Sequence, residues 1–335
     1  MIPVGQAYRP EGQVDARSLV SATILGVVTA VFAAIVVWAW ELSPIPTLVI
    51  LTPLMQGFVI GIVLTLLIGR LKLRHPKLMA VVGFACGLAS VGLIHYAHHL
   101  HFLDQFATEY KAFVQANDRL TPEEKREALQ AVDSNANDAA DEFLEGKTGH
   151  RGFLGSMLFR SQVGVRIKSA ELTGWGVGIL WGIEALMVAV VATSMAYFRA
   201  SAPFCEDCGD WCSKSPAAIA LAGEAAGALG DAVRANDHQQ VAQLLGQPVD
   251  AEVIKQHGTR ATLHSCGECA QTFADVESYR IKMKKGKPET TTTSVAKQIR
   301  ISPEMLALLR PQPAMAGPAE YHDIDAPAPL EARDL

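Results

Sequence analysis

Four cysteines in the C-terminal half of the chain have the spacing of metal ligands. Cys205 and Cys208 form one CxxC pair, and Cys266 and Cys269 form a second. Four thiolates supplied by two such pairs can complete the tetrahedral coordination of one Zn²⁺. The 57 residues at positions 209–265 exceed the spacing that is usual between the pairs of a simple four-cysteine site. We therefore expect a structural zinc site whose pairs flank a folded insertion.

Other interpretations of these thiols stay open. Cys212 and His264 lie close to the pairs in sequence and are possible substitute ligands. The fifth thiol also leaves thiol redox chemistry open, although a redox pair usually opens a helix in a thioredoxin-like βαβ unit, which this sequence does not show. The third alternative is that the thiols are simply small buried side chains.

A second group of metal-ligating residues is a histidine cluster, which consists of His95, His98, His99 and His101. The first three share one face of a helix, where imidazoles can bind a metal or sense pH. A complete coordination set is not evident in the sequence. We therefore favour a polar, aromatic-rich membrane boundary and keep an outer metal or pH site as the alternative.

Two polar residues interrupt otherwise apolar runs. Glu184 is the one charged residue of its run, and Gln56 lies at a similar depth in another run. Charged side chains inside a membrane are costly and usually face a bundle interior or a water path. We expect a neutral Glu184 that joins helices by hydrogen bonding, with Gln56 as a candidate partner; a proton or ion path is the alternative.

Four apolar runs position these polar groups, and each is long enough to cross a bilayer. The runs are residues 18–40, 47–69, 78–97 and 172–198. The sequence therefore predicts three transmembrane helices within residues 18–97 and a fourth over residues 172–198. Gly57 and Gly61, like Gly83 and Gly87, are spaced to let helices approach closely.

The basic residues near the spans predict their orientation. Arg70, Lys72, Arg74 and Lys77 lie between the second and third spans, which places this connection in the cytoplasm. Residues 1–17 and the segment after residue 198 are then cytoplasmic, and a helical loop over residues 98–171 is external. That loop contains no cysteine, which suits reduced thiols on the cytoplasmic side. The predicted location is the bacterial inner membrane.

The cytoplasmic segment over residues 199–310 has a mixed α+β pattern. An Ala-rich helix is expected to start at Ser215, and a second helix is expected near residues 238–245. Alternation around Tyr279 and a Thr-rich run around Val295 predict a β-hairpin, followed by a short helix that begins at Ser302-Pro303-Glu304 and runs through Leu309. Residues 311–335 are rich in Pro, Ala, Asp and Glu, which is typical of a disordered tail.

Two cysteine knuckles beside a β-hairpin resemble zinc-ribbon modules, over about Ala202–Leu309. The whole layout is similar to bacterial multi-span membrane proteins that end in a cytoplasmic zinc-ribbon-like part. The resemblance implies a small metal-binding module and carries no activity with it. The expected fold is thus an all-α four-helix transmembrane bundle with a helical external loop and a small α+β zinc-ribbon-like domain.

Charge restricts the partners of the chain. The net charge of −5 disfavours specific nucleic-acid binding, which a basic surface would drive. One local exception is the expected hairpin, where five basic residues could contact anionic lipid headgroups. They are Arg280, Lys282, Lys284, Lys285 and Lys287.

The function that these features predict best is non-enzymatic. We expect a membrane scaffold or sensor whose zinc-stabilised module presents a surface to a cytoplasmic protein, with the lipid bilayer as its other partner. A transporter of protons, small ions or metals through Glu184 and Gln56 is the first alternative. A membrane thiol oxidoreductase is the second alternative. The sequence does not specify an oligomeric state.

Overall fold

The structure is a computed structural model, and it describes residues 2–10, 16–41, 51–117, 120–167, 170–269, 271–284 and 287–310. The expected disordered tail and Lys285 lie outside the described residues. The chain divides into two units, a helical unit of Pro10–Ala202 and a sheet unit of Met1–Arg9 with Pro203–Leu335.

Over its described residues, the helical unit contains six helices and one small β-ribbon. The helices are α1 (Ala16–Glu41), α2 (Leu51–Leu71), α3 (Pro76–Ala116), α4 (Pro122–Thr148), α5 (Gly152–Val163) and α6 (Trp175–Ala200), and the ribbon pairs β1 (Val165–Ile167) with β2 (Ala170–Leu172). Helices α1, α2, α3 and α6 are long and apolar enough to cross a membrane, which confirms the four apolar helices that the sequence predicts.

Helix α6 packs closely against α2 and α3 at the glycine pairs. A Cβ atom added at Gly87 would lie 2.7 Å from the Cα of Ala189, and one added at Gly83 would lie 2.9 Å from the carbonyl oxygen of Ala192. Gly57 similarly faces the backbone of Val188. These glycines therefore allow the close backbone approach that small residues provide between apolar helices.

The C-terminal half of α3 continues past the apolar run and packs against α4 and α5. Aromatic rings fill this contact, with centroids of Phe106 and Phe143 5.4 Å apart and those of Phe143 and Phe159 5.5 Å apart. Helix α4 begins with a capping box, in which Thr121 and Glu124 bond each other's backbone amides. The predicted helical loop is thus helical over most of its described length.

The sheet unit is built on an antiparallel sheet with the strand order β5-β6-β7-β8. Its elements are the ribbon β3 (Phe204–Cys205) and β4 (Asp210–Trp211), the strands β5 (Ser213–Ala222), β6 (His257–Ser265), β7 (Thr272–Lys284) and β8 (Lys287–Ile301), and the helices α7 (Ala226–Ala235), α8 (His238–Leu245), α9 (Ala251–Gln256) and α10 (Pro303–Leu309). One face of the sheet and the helices α7, α8 and α10 form a buried apolar core that includes Leu229, Val241, Leu263, Val276 and Leu309.

The prediction of a helix from Ser215 is wrong. Residues 213–222 form strand β5, and the helix begins only at Ala226. Pairing with β6 overrides the helix propensity of the alanines, because it adds β5 to the edge of the sheet and buries Leu221 completely. Helix α8, the β7–β8 hairpin and helix α10 confirm the other predictions for this segment.

The N-terminal residues belong to the sheet unit, which the sequence does not predict. The Gly5 amide donates to the Arg300 carbonyl (2.8 Å), the Arg300 amide donates to the Gln6 carbonyl (2.9 Å), and the Tyr8 amide donates to the Gln298 carbonyl (2.8 Å). Residues 5–8 therefore lie along the end of β8, where Ala7 and Ile299 form an isolated antiparallel β-bridge.

Candidate metal centre

The structure brings the four predicted cysteine ligands together. The Sγ atoms of Cys205, Cys208, Cys266 and Cys269 all lie within 4.8 Å of one another. Sulfurs bound at 2.3 Å around a tetrahedral zinc would lie about 3.8 Å apart, and Cys205 Sγ is 3.5 Å from Cys269 Sγ. These cysteines can therefore hold one metal ion with little rearrangement.

Each cysteine pair sits in a tight turn. The first turn joins β3 to β4, where the Gly209 amide donates to the Cys205 carbonyl (2.9 Å) and Gly209 adopts a φ of +66°. The second turn joins β6 to β7, where the Cys266 amide donates to the Gln271 carbonyl (2.9 Å). Both turns curve the chain around its two sulfurs, as a metal knuckle must.

The long insertion between the pairs is closed by strand pairing. Strand β5 begins one residue after β4, and β6 ends at the residue before Cys266. Ser213 lies opposite Ser265 in this antiparallel pair, and Ser213 Oγ donates to the Ser265 carbonyl (3.0 Å). The 57 residues thus leave the site and return to it along neighbouring strands.

Hydrogen bonds favour one thiolate in the metal-free cluster. Burial opposes ionisation of Cys266, but hydrogen bonds from the backbone amides of Cys269 and Glu268 and from neighbouring thiols lower its pKa to about 7. The pKa of Cys208 is raised, chiefly by its hydrogen bond with the Cys269 sulfur, and burial raises that of Cys205. Four thiolates at this distance repel one another, so full ionisation requires a bound cation.

Apolar side chains form a shell beside the buried cysteines, whereas Cys208 and Cys269 are half-buried. Tyr8, Phe204 and Phe273 are buried beside Cys205 and Cys266 in one cluster. The Tyr8 and Phe273 rings meet edge to face with centroids 5.5 Å apart. Such a shell limits solvent access to a metal site. Phe204 adjoins Cys205 in sequence, whereas the sequence gives no signal for Tyr8, which lies almost 200 residues away.

The two possible substitute ligands lie outside the four-sulfur group. Cys212 is part of the apolar shell, and burial raises its pKa to about 12. His264 Nε2 lies 2.9 Å from Asp275 Oδ2, and the other carboxylate oxygen of Asp275 accepts from the Gln298 amide. The His264 ring on β6 is thus hydrogen-bonded to Asp275 on the neighbouring strand β7.

The polar residues of the apolar helices take part in helix packing. Gln56 Nε2 donates to Ser90 Oγ (2.6 Å), and Ser90 Oγ donates to the Ala30 carbonyl (2.9 Å), which links α2, α3 and α1. Glu184 lies half-buried on α6. Its pairing with Gln56 and the ion path through both residues remain predictions.

Three histidines of the predicted outer cluster contact aromatic rings. The His95 ring lies 4.8 Å from Trp181, His99 lies 5.9 Å from Phe153, and His101 lies 6.2 Å from Trp38, measured between ring centroids. His98 is half-buried. An outer metal or pH site in this cluster stays a prediction. Among the described residues, the set of ligands placed to share one metal is the cysteine group.

Comparison of the chain with protein-family models, with curated proteins and with solved structures finds no match. Function is therefore inferred from the residues and the geometry of the site.

Proposed function

We propose that this protein is a non-enzymatic membrane scaffold or sensor whose four-cysteine site holds a structural zinc ion. The observation that carries the proposal is the convergence of four Sγ atoms within 4.8 Å. Four protein ligands saturate a tetrahedral zinc and leave no open position for substrate or water, so the site is structural rather than catalytic. The metal would cross-link the two cysteine pairs and compensate the negative charge of their thiolates.

The proposed role of the zinc is to organise one end of the sheet unit. It would join the β3–β4 ribbon to the β6–β7 turn, and the apolar shell that contains Tyr8 and Phe273 would pack on this joint. A metal that binds only the folded chain stabilises it by an amount that grows with the affinity and with the free metal concentration. The ordered surface around this joint would be the part presented to a cytoplasmic protein partner.

A membrane location is supported by the four apolar helices. An even number of crossings returns the chain to the side on which it began, and this agrees with the packing of residues 5–8 on β8 within one unit. The basic segment from Arg70 to Lys77, which spans the end of α2, the connection and the start of α3, favours the cytoplasm for that side. The proposal therefore places the N-terminal segment and the sheet unit in the cytoplasm.

The test is metal analysis of the full-length protein purified in detergent. A fragment beginning at Ala202 would lack residues 5–8, which pack on β8 in the sheet unit. We expect about one zinc per chain, as four cysteines define one site. The Cys266→Ser/Cys269→Ser variant should lose the metal and unfold its sheet unit at a lower temperature. Cys212→Ser is the matched control and should keep the metal.

The opposite result would be equally informative. A wild-type protein that contains no metal and forms a reversible disulfide between the pairs would overturn the structural zinc site. It would make thiol redox chemistry the favoured function of these cysteines.

A further inference from the structure

The β7–β8 hairpin extends beyond the rest of the sheet. Strand β6 ends its pairing with β7 at Arg280, opposite His257, whereas β7 and β8 remain paired out to Lys284 and Lys287. Four residues of each strand therefore project as a two-stranded tip, about 13 Å long at the usual rise of a strand. The described residues of this tip are exposed on both faces.

The two faces of the tip differ in chemistry. Arg280, Lys282 and Lys284 alternate along β7 and share one face with Lys287 and Glu289 of β8, which lie opposite Lys284 and Lys282. Lys284 pairs with Glu289 at 3.1 Å. Four cations thus share this face with one carboxylate, and their positive charge is only partly compensated.

The opposite face of the tip is apolar. Ile281 and Met283 lie opposite Thr290 and Pro288, and their exposed fractions are 36% and 70%. A hairpin with a cationic face and an exposed apolar face has the amphipathic character of segments that rest in a lipid headgroup layer. A nucleic acid would pair with the cations but would leave these apolar side chains in water.

We infer that the β7–β8 tip docks on anionic lipid headgroups of the membrane that the apolar helices cross; this inference rests on the proposed membrane location. Only residues 201–203 separate α6 from β3, so the sheet unit is tethered to the proposed membrane helix by a short link. Each basic side chain near an anionic surface adds a factor of about five in affinity. The contact would hold the metal module against the cytoplasmic leaflet.

The test uses the full-length protein in nanodiscs of phosphatidylcholine alone and in nanodiscs with about one third phosphatidylglycerol, an anionic lipid. Amide hydrogen exchange is measured over residues 277–294. We expect exchange at least about threefold slower in the anionic nanodiscs, and we expect added salt to remove the difference. The Lys282→Gln/Lys284→Gln/Lys287→Gln variant should show no difference between the two lipids.

The matched control removes the same charge from exposed positions elsewhere in the sheet unit. Lys214→Gln/Lys255→Gln/Lys297→Gln should retain the wild-type lipid dependence. Co-elution with the nanodisc and the zinc content of each variant report separately on membrane insertion and on folding. A protein that inserts and holds its metal, yet exchanges equally fast in both lipids, would overturn the docking inference and leave the proposed function standing.

The same experiment would also detect a different binding partner of the β7–β8 tip. Residues 311–335 carry Glu320, Asp323, Asp325, Glu331 and Asp334 against Arg333. If the tip were protected in both lipids and deletion of residues 311–335 removed the protection, the acidic segment of the chain itself would be the partner. That outcome would also overturn lipid docking. A protein that fails to enter nanodiscs at all would overturn both this inference and the membrane location.

Discussion

At the scale of single residues, the cysteine cluster combines one easily ionised thiol with others that resist ionisation. Backbone amides lower the pKa of Cys266 to about 7 against the effect of its burial, whereas burial raises the pKa of Cys205 and the Cys269 sulfur raises that of Cys208. Near neutral pH the metal-free site therefore retains protons on Cys205 and Cys208. Metal binding must release them, because the thiolate is the ligand.

The proton release predicts a steep pH dependence of zinc affinity. With at least two protons released, the affinity should fall about 100-fold for each unit that the pH is lowered near neutrality. Competition with a chromophoric chelator over a pH series measures this slope. Cys212→Ser should leave the slope unchanged, because Cys212 lies outside the four-sulfur group. An affinity that does not vary with pH would contradict thiolate ligation.

At the scale of elements, the contact between α3 and α6 depends on two glycines one helical turn apart. A Cβ at Gly87 would lie 2.7 Å from the Ala189 Cα, closer than real Cβ atoms approach backbone, whereas a Cβ at Gly92 would meet nothing within 4 Å. The same helix thus offers a crowded glycine and an open one. Comparing the effect of alanine on stability at the two positions therefore distinguishes the contribution of helix packing from that of helix propensity.

Gly87→Ala and Gly92→Ala form a matched pair of substitutions in α3. Gly87→Ala should destabilise the helical unit by about 1–3 kcal/mol, because α6 must move away. Gly92→Ala should be neutral or stabilising by up to about 1 kcal/mol, since alanine favours the helix. Unfolding of the two variants in detergent measures the effect. Equal stabilities would show that α6 does not approach α3 at Gly87.

The elements also show what the sequence could predict. Local sequence patterns predict helix α8, the β7–β8 hairpin and helix α10. Examples are the period-two alternation of the hairpin and the Ser302 cap before Pro303. Strand β5 contains helix-favouring alanines, and its strand conformation depends on β6, which lies about 40 residues later. A pairing over such a distance has no local signature.

At the scale of the whole molecule, the cysteine group packs in one cluster with Tyr8, a residue from the start of the chain. The spacing of the cysteines predicted the ligands, and the structure brings these four together. Tyr8 could not be predicted, since its partner Phe273 lies more than 260 residues away. The segment before the first apolar helix therefore packs in the same cluster as the cysteines that follow the last one.

This packing predicts that the N-terminal segment and the metal site stabilise each other. Tyr8 is 5% exposed and packs with Phe273 in the cluster that includes Cys205 and Cys266. Tyr8→Ala should destabilise the sheet unit by about 3 kcal/mol through the cavity that it leaves. Because linkage is reciprocal, weaker docking of this segment should also lower zinc affinity by roughly tenfold.

The measurements are chelator competition and thermal unfolding of the full-length Tyr8→Ala protein in detergent. Val4→Ala provides the control in the same segment, since Val4 is 42% exposed and should change neither quantity by more than about 0.5 kcal/mol. Tyr8→Phe keeps the ring and should restore most of the affinity. If Tyr8→Ala bound zinc as tightly as the wild type, the docking of residues 5–8 on the sheet would make no contribution to zinc affinity. A tenfold loss confined to Tyr8→Ala would instead show that the docking of residues 5–8 and metal binding by the four cysteines are energetically coupled.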